Sequence, residues 1–467
     1  MVLLQSSKLT LPTPSSLSSP HTTTTSILFE PTTLSLAITH SNSSISLFPS
    51  YSPLSLSSSL QFPQTLIPKP SSSSTFLILQ QSPNSANPNS VIFLVCGPHR
   101  AGSQILLRFY ILNRITNCFS RVNRISCGSQ SGFLRFEPEL GVLMDAKHGV
   151  SVKVVGSVNY FAVYSVSSFK VWVFAVKMVE DEEGGGLRLM KCAVIRCSRP
   201  VWSLSISFGF LVLGEENGVR VFGLRRLVKG KMVVRRVENS NLKSGLNKLP
   251  NGDHHRKYKG GGDRGGKTRG GVDGDEATCN GGLEGKNGVA VKQTSVKYKH
   301  DNKDGGACFL ALKGNEAETK SMPKVSKSVK AISIKALSQR MFLILDSHGD
   351  LHLLSIYNSG LGVDITGHVK QLPRVMKVQS LAVHLDESTT SQTIWISDGC
   401  HSVHMFTMDT ENALNEADEN DSNEKKSMHL PVTQVLFSSE KIQDIISISA
   451  NSILILGQGS LYAHAIS

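Results

Sequence analysis

The chain has 467 residues, enough to bury a large core, and carries 49 Lys or Arg against 36 Asp or Glu, a formal net charge of +13. Gly and Pro are plentiful and helix-period apolar runs are scarce, which favours an all-β chain; no run of about 18 uninterrupted apolar residues exists to span a membrane as a helix. Eight cysteines form no CxxC pair and no regular spacing, which argues against a zinc knuckle and for a reduced, intracellular setting.

Taken in chain order, the first strand-like segment is "SKLTLP" at Ser7–Pro12. The Ser- and Thr-rich start then gives two more, "TTSILFE" and "TLSLAITH", within a stretch whose only acidic residue is Glu30 and whose only basic one is Lys8. Such a composition evokes a chloroplast transit peptide, but the near absence of basic residues and the presence of strands read it as folded chain.

From Thr33 onward one unit recurs: four or five apolar or β-branched residues, a tight polar turn, and a second strand with apolar residues at alternate positions. Its copies are Thr33–Phe48, Val91–Leu112, Phe161–Val176, Phe208–Leu224, Met341–Ile356, Thr393–Met408 and Asn451–Ile466. Another β-type run precedes several of them, at Val201–Ser207, Val329–Lys335, Val378–His384 and Ile442–Ile448. The alternation predicts one buried and one wet face per strand. Turns near Asn42, Arg100, Ser167, Glu216, His348, Cys400 and Gln458 are spaced about 58, 67, 49, 132, 52 and 58 residues apart. Setting aside a polar tract of about 80 to 85 residues brings the outlying gap to about 50, the period of a β-propeller blade.

On these hairpins, and on the turn residues Asp346, His348 and Gly349 and then Asp398 and Gly399, about 350 residues resemble the WD40-like β-propeller superfamily. The Gly-His and Trp-Asp marks of that family are missing. The resemblance implies an all-β fold, a single propeller of about seven blades, with a sandwich as the alternative architecture. Blades 1–4 are expected in 7–224, a disordered basic Gly-rich insertion in 225–325, and blades 5–7 in 326–467 with an acidic loop at 409–428. Trp395 is expected to pack against the next blade. The last hairpin ends in "SLYAHAIS" with nothing after it to form an outer strand, so Lys8–Leu11 is expected to pair onto the final blade and close the ring.

The insertion concentrates the charge. Arg225 to Asp304 holds 19 Lys or Arg against 9 Asp or Glu, so +10 of the +13 lies there. Its "GGDRGGKT" at Gly261–Thr268 satisfies the Walker A pattern in letters, but neither a strand before it nor a helix after it is readable, so no phosphate cradle is expected. Two Arg-Gly-Gly triplets make Arg256, Lys257, Lys259, Arg264, Lys267 and Arg269 candidates for nucleic-acid contact, beside the plainer reading of a solvated loop. Arg225, Arg226, Lys229, Lys231, Arg235 and Arg236 form a candidate nuclear-import cluster, part of which also reads as a strand with a basic edge.

Cys400, His401 and His404 share one hairpin, but an odd spacing sends the two histidines to opposite faces of a strand, so no metal site is expected. No Ser lies in a nucleophile elbow, and no cofactor is expected. The sequence reads as a non-enzymatic interaction scaffold with protein partners and no membrane partner, placed in the nucleus and/or cytoplasm. The alternatives are a nuclear RNA-associated factor using the insertion and, for location, the chloroplast.

Overall fold

The computed structural model describes residues 4–9, 23–51, 65–80, 89–128, 132–146, 149–179, 186–229, 294–297, 307–312, 328–358, 365–411 and 432–466. By internal contacts the chain divides into Met1–Val233 with Val291–Ser467, and Val234–Ala290; the latter unit lies outside the described residues. The former is a β-propeller of seven blades.

Each blade is an antiparallel meander. Blade 1 is Thr24–Glu30, Ser35–His40, Ile45–Phe48 and Thr65–Ile67; blade 5 is Ala331–Ala336, Met341–Asp346, Leu351–Asn358 and Ile365–Gln371; blade 6 is Ser380–His384, Ser391–Ser397, Ser402–Asp409 and Val432–Phe437. Every recurring hairpin read from the sequence is the second and third strand of a blade. The preceding runs are the first strands, which lie side by side around the channel.

The second strands are buried over most of their length, and throughout in Phe210–Glu215, Met341–Asp346 and Ser452–Leu456, so the expected wet face is absent. The alternation survives in another form. Met341, Leu343 and Leu345 enter the core shared with blade 6, while Phe342 and Ile344 enter the core shared with blade 4. A blade between two neighbours has no solvent face, so both sides of its central strands must be apolar.

Among the described residues, the buried apolar side chains form seven clusters, and each joins two consecutive blades. The cluster of Ile27, Leu36, Ile38 and Phe48 with Leu454, Leu456 and Leu461 joins blade 1 to blade 7 and closes the ring. Trp395 is fully buried against Ile445, Ile453 and Ile455 of blade 7, as expected.

Closure uses a strand from the start of the chain. Leu4–Leu9 pairs antiparallel with Leu461–Ile466, Lys8 opposite Tyr462 and Leu9 opposite Leu461. The pairing segment thus lies a few residues earlier than Lys8–Leu11, because the six-residue partner strand runs on from Leu9 to Leu4; Thr10 and Leu11 lie outside the described residues. Lys8 stands 5.9 Å from the Tyr462 ring centroid, and the Tyr462 hydroxyl donates to Glu440 at 2.9 Å.

Blade 4 consists of Ser203–Ser207, Phe210–Glu215, Gly218–Gly223 and Ala307–Ala311. Its outer strand therefore lies inside the span 225–325 read as an insertion between blades, and the long tract interrupts blade 4 rather than following it. Arg220 holds that strand in place: its guanidinium lies 5.1 Å from the Phe309 ring centroid and bonds Glu215 at 2.9 Å in a fully buried pair.

Blades 2 and 3 are strapped together. After Cys118–Arg121 pairs with the third strand of blade 2, Ile125–Cys127 crosses to run parallel to Gly186–Arg196, the outer strand of blade 3. The chain then returns to blade 2 as Leu134–Glu137 and Gly141–Asp145. Thr294–Lys297 adds to the other half of the same blade 3 edge, also parallel.

A basic and aromatic candidate site at the channel mouth

Successive strands of a blade run in opposite directions, so the connections between blades and the turns after each second strand emerge on one face. The remaining connections emerge on the other. On the first face, three residues at the start of neighbouring inner strands form a row across blades 3, 4 and 5. Lys153 Nζ donates to the Trp202 carbonyl at 2.5 Å, and Lys330 Nζ stands 4.1 Å from the Trp202 ring centroid. Trp202 precedes Ser203–Ser207, Lys330 precedes Ala331–Ala336, and Lys153 is the second residue of Val152–Gly156.

The row is fixed from below. Ser203 Oγ donates to the Ala331 carbonyl at 2.7 Å, tying the inner strands of blades 4 and 5. The Lys330 amide donates to Ser347 Oγ at 3.1 Å and Ser347 returns its amide to the Lys330 carbonyl at 2.8 Å. Trp202 donates its own amide to the Gly214 carbonyl at 2.7 Å. Trp202 Nε1 is buried and has no hydrogen-bond partner among the described residues. Burial pulls the Lys153 ammonium below its ordinary value. Arg199 adds a third cation, 4.0 Å from Glu216.

Across the ring, blade 7 begins with Asp444, whose carboxyl is raised by burial against the hydrogen bond from the Ile445 amide and the charge of Lys335. Ammonium groups beside an indole face suit a carboxylate carried next to an apolar group.

The buried charges elsewhere serve the fold. Arg108 donates to the carbonyls of Pro68 and Pro70 at 2.8 and 2.7 Å, and Glu30 accepts from the Thr32 and Thr33 amides at 3.0 and 2.8 Å. Asp346 accepts from the His348 and Asp350 amides and from the ring of His352.

Of the candidates read from the sequence, Arg256, Lys257, Lys259, Arg264, Lys267 and Arg269, with Lys231, Arg235 and Arg236, lie outside the described residues, as does the Walker-like octet. Arg225, Arg226 and Lys229 lie on a short helix, Leu224–Lys229, not on a strand. Leu224 and Leu227 bury into the core between blades 3 and 4, at the spacing of a helical turn, and leave Arg225 and Lys229 exposed. This helix follows a third strand, so it sits on the face opposite the mouth. His401 Nδ1 meets the Ser438 carbonyl at 3.2 Å, and among the described residues no three His, Cys, Asp or Glu gather as metal ligands. No described helix is long and apolar enough to cross a membrane.

No family model and no curated protein matches the chain. Solved structures that it is similar to include the C-terminal WD40 domain of Sif2, at 10% identity over 98% of this chain and 84% of that one, with a TM-score of 0.42. The WD40 repeats of RRP9 align at 9% identity over 96% and 95%, TM-score 0.44, and Chaetomium thermophilum Sqt1 at 10% over 93% and 80%, TM-score 0.44. On its own strand order and its seven inter-blade cores, the chain is a seven-bladed β-propeller.

Proposed function

We propose that the protein is a non-enzymatic scaffold that holds an acidic segment of a partner protein at the channel mouth. The Lys153–Trp202–Lys330 row carries this reading, since it gathers two cations and an indole from three blades onto one rigid rim. Inner strands locked by inter-blade hydrogen bonds present such a row with little conformational cost on binding. The buried ionisable groups support a scaffold over an enzyme, because Arg108, Glu30, Asp346 and Glu215 are each engaged by turns or pairs within the fold.

A labelled Glu-rich decapeptide titrated into the full chain tests the reading. Binding should weaken as salt rises and be lost in the Lys153→Glu/Lys330→Glu double variant while that variant still unfolds cooperatively as a folded protein. Equal binding by wild type and double variant would remove the mouth as the site.

Contact with RNA through 225–304 is a second reading, favoured by the +10 charge gathered there. Crosslinking to RNA with and without that tract tests it; full-length protein that never crosslinks ends it.

A further inference from the structure

Blade 3 carries cations without carboxylates. Its strands Val152–Gly156, Tyr160–Ser165, Lys170–Val179 and Gly186–Arg196 hold Lys153, Lys170, Lys177, Arg188, Lys191 and Arg196, and no Asp or Glu. Lys153 is engaged by the Trp202 carbonyl, and Lys191 Nζ stands 4.1 Å from the Phe133 ring centroid. Lys177 and Arg188 lie opposite each other towards the face away from the mouth. Lys170 and Arg196 lie opposite each other at the mouth end of the same two strands. Neither has an ion pair among the described residues.

One line of register runs through this pair from the channel to the rim. Val152 lies opposite Ser165, Ser165 opposite Lys170, Lys170 opposite Arg196, and Arg196 opposite Lys297 of the added parallel strand. Neighbouring strands stand about 4.8 Å apart, so positions 170, 196 and 297 fall within about 10 Å. Arg196 is exposed and Lys170 half-buried. Phe169, in the turn just before Lys170, is 39% exposed, and its carbonyl accepts the Cys197 amide at 2.7 Å, which pins it beside Arg196. The acidic run at 180–183 lies outside the described residues. The strand ends that it joins, Val179 and Gly186, are the far ends of strands of 10 and 11 residues, about 30 Å from the row.

We propose that Lys170, Arg196 and Lys297, with Phe169 beside them, form a contact surface for a single strand of RNA on the mouth end of blade 3. This rests on the second reading above, contact with RNA, and places a folded part of that contact on the ring. Two observations favour a nucleic acid. Lys297 reaches the row because Thr294–Lys297 pairs with the blade 3 edge, and that strand belongs to the basic tract 225–304. The charge of the tract and the charge of the blade therefore meet at one edge, and cations set across neighbouring strands suit a chain that carries one negative charge per phosphate. The exposed Phe169 ring offers a stacking face for a base, which a single strand presents and a duplex keeps inside its stack. An acidic protein segment would match the cations but has no base for Phe169.

Anisotropy titration of the full chain with a fluorescein-labelled oligouridine, between about 50 and 200 mM salt, tests it. Each phosphate neutralised on a single strand adds about 0.7 to the slope of log K against log salt. Lys170→Gln/Arg196→Gln should therefore bind with a slope shallower by about 1.4. Phe169→Ala should bind at least about fivefold more weakly at unchanged slope. Both variants should still unfold cooperatively. Lys177→Gln/Arg188→Gln removes the same charge from the far ends of the same strands and should bind as wild type does. Binding by wild type with an unchanged slope in Lys170→Gln/Arg196→Gln would overturn the inference and leave the RNA contact to the tract alone; no binding by wild type would end both. An equal loss in Lys177→Gln/Arg188→Gln would reduce the effect to net charge and overturn the row. So would a Lys170→Gln/Arg196→Gln variant that loses the Glu-rich decapeptide and keeps the oligouridine, since the row would then belong to a protein partner.

Discussion

His352 Nε2 meets Asp346 Oδ2 at 2.8 Å inside blade 5, with both side chains almost fully buried. The other carboxylate oxygen accepts the His348 and Asp350 amides at 2.8 and 2.9 Å, so one aspartate shapes the turn and anchors the third strand. Asp346→Ala should destabilise the protein by about 3 kcal/mol, as removal of one partner from a buried pair does. Denaturant unfolding measures this.

The same pair gives the protein an acid-sensitive element. Burial alone would raise the Asp346 carboxyl, but the His352 ring and the two turn amides outweigh it and hold the group below its ordinary 3.8. A folded value below the unfolded one means the unfolded chain takes up the proton more readily. The stabilisation is thus complete above about pH 4 and is lost as pH falls through the folded value. The stability difference between wild type and Asp346→Asn should shrink on acidification below pH ~4; a difference that stays constant would show that the carboxylate's charge plays no part.

Turn glycines face the loops between blades. Gly349 has φ +85°, and a Cβ there would lie 2.7 Å from Lys377 Cγ and 2.9 Å from the Val378 amide nitrogen. Gly349→Ala should cost roughly 1–3 kcal/mol through strain and crowding. Gly459→Ala, with nothing within 4 Å of the added atom, is the control expected near neutral. Thermal melts of the two variants separate crowding from a general effect of losing glycine.

Closure predicts a fourth outcome. Removing residues 1–9 uncovers the edge of Leu461–Ile466 and takes Lys8 from Tyr462. The melting temperature should fall by several degrees, while Lys8→Ala alone should cost no more than about 0.5–1 kcal/mol. Glu440 belongs to the same corner. Hydrogen bonds from Ser460, the Gly459 amide and Tyr462 bring its carboxyl down to about 2. Its contribution is therefore present above about pH 4.5 and lost between there and about pH 2.

Much of the ring was legible because the second and third strands of every blade are long apolar runs broken by a polar turn. What the sequence hid was set by distance along the chain or by brevity. Ala307–Ala311 is five residues in a Lys- and Gly-rich tract, and only its pairing with Gly218–Phe222 identifies it as the edge of blade 4. The helix Leu224–Lys229 is too short for its periodicity to stand out from a strand. The strap of Ile125–Cys127 onto blade 3 has no local signature, since parallel pairing with Leu187–Leu189 depends on how two blades sit. Lys153, Trp202 and Lys330 are far apart in sequence and meet because the ring sets the starts of three inner strands side by side.

Photocrosslinking from the channel mouth tests the scaffold reading most directly. With p-benzoylphenylalanine in place of Trp202, irradiation of cells should yield a discrete adduct to a protein, mapped to an acidic segment and weakened by Lys153→Glu/Lys330→Glu. The same probe at Ile115, an exposed turn on the opposite face, should not yield it. No adduct at position 202, or the same adducts from both positions, would contradict the reading.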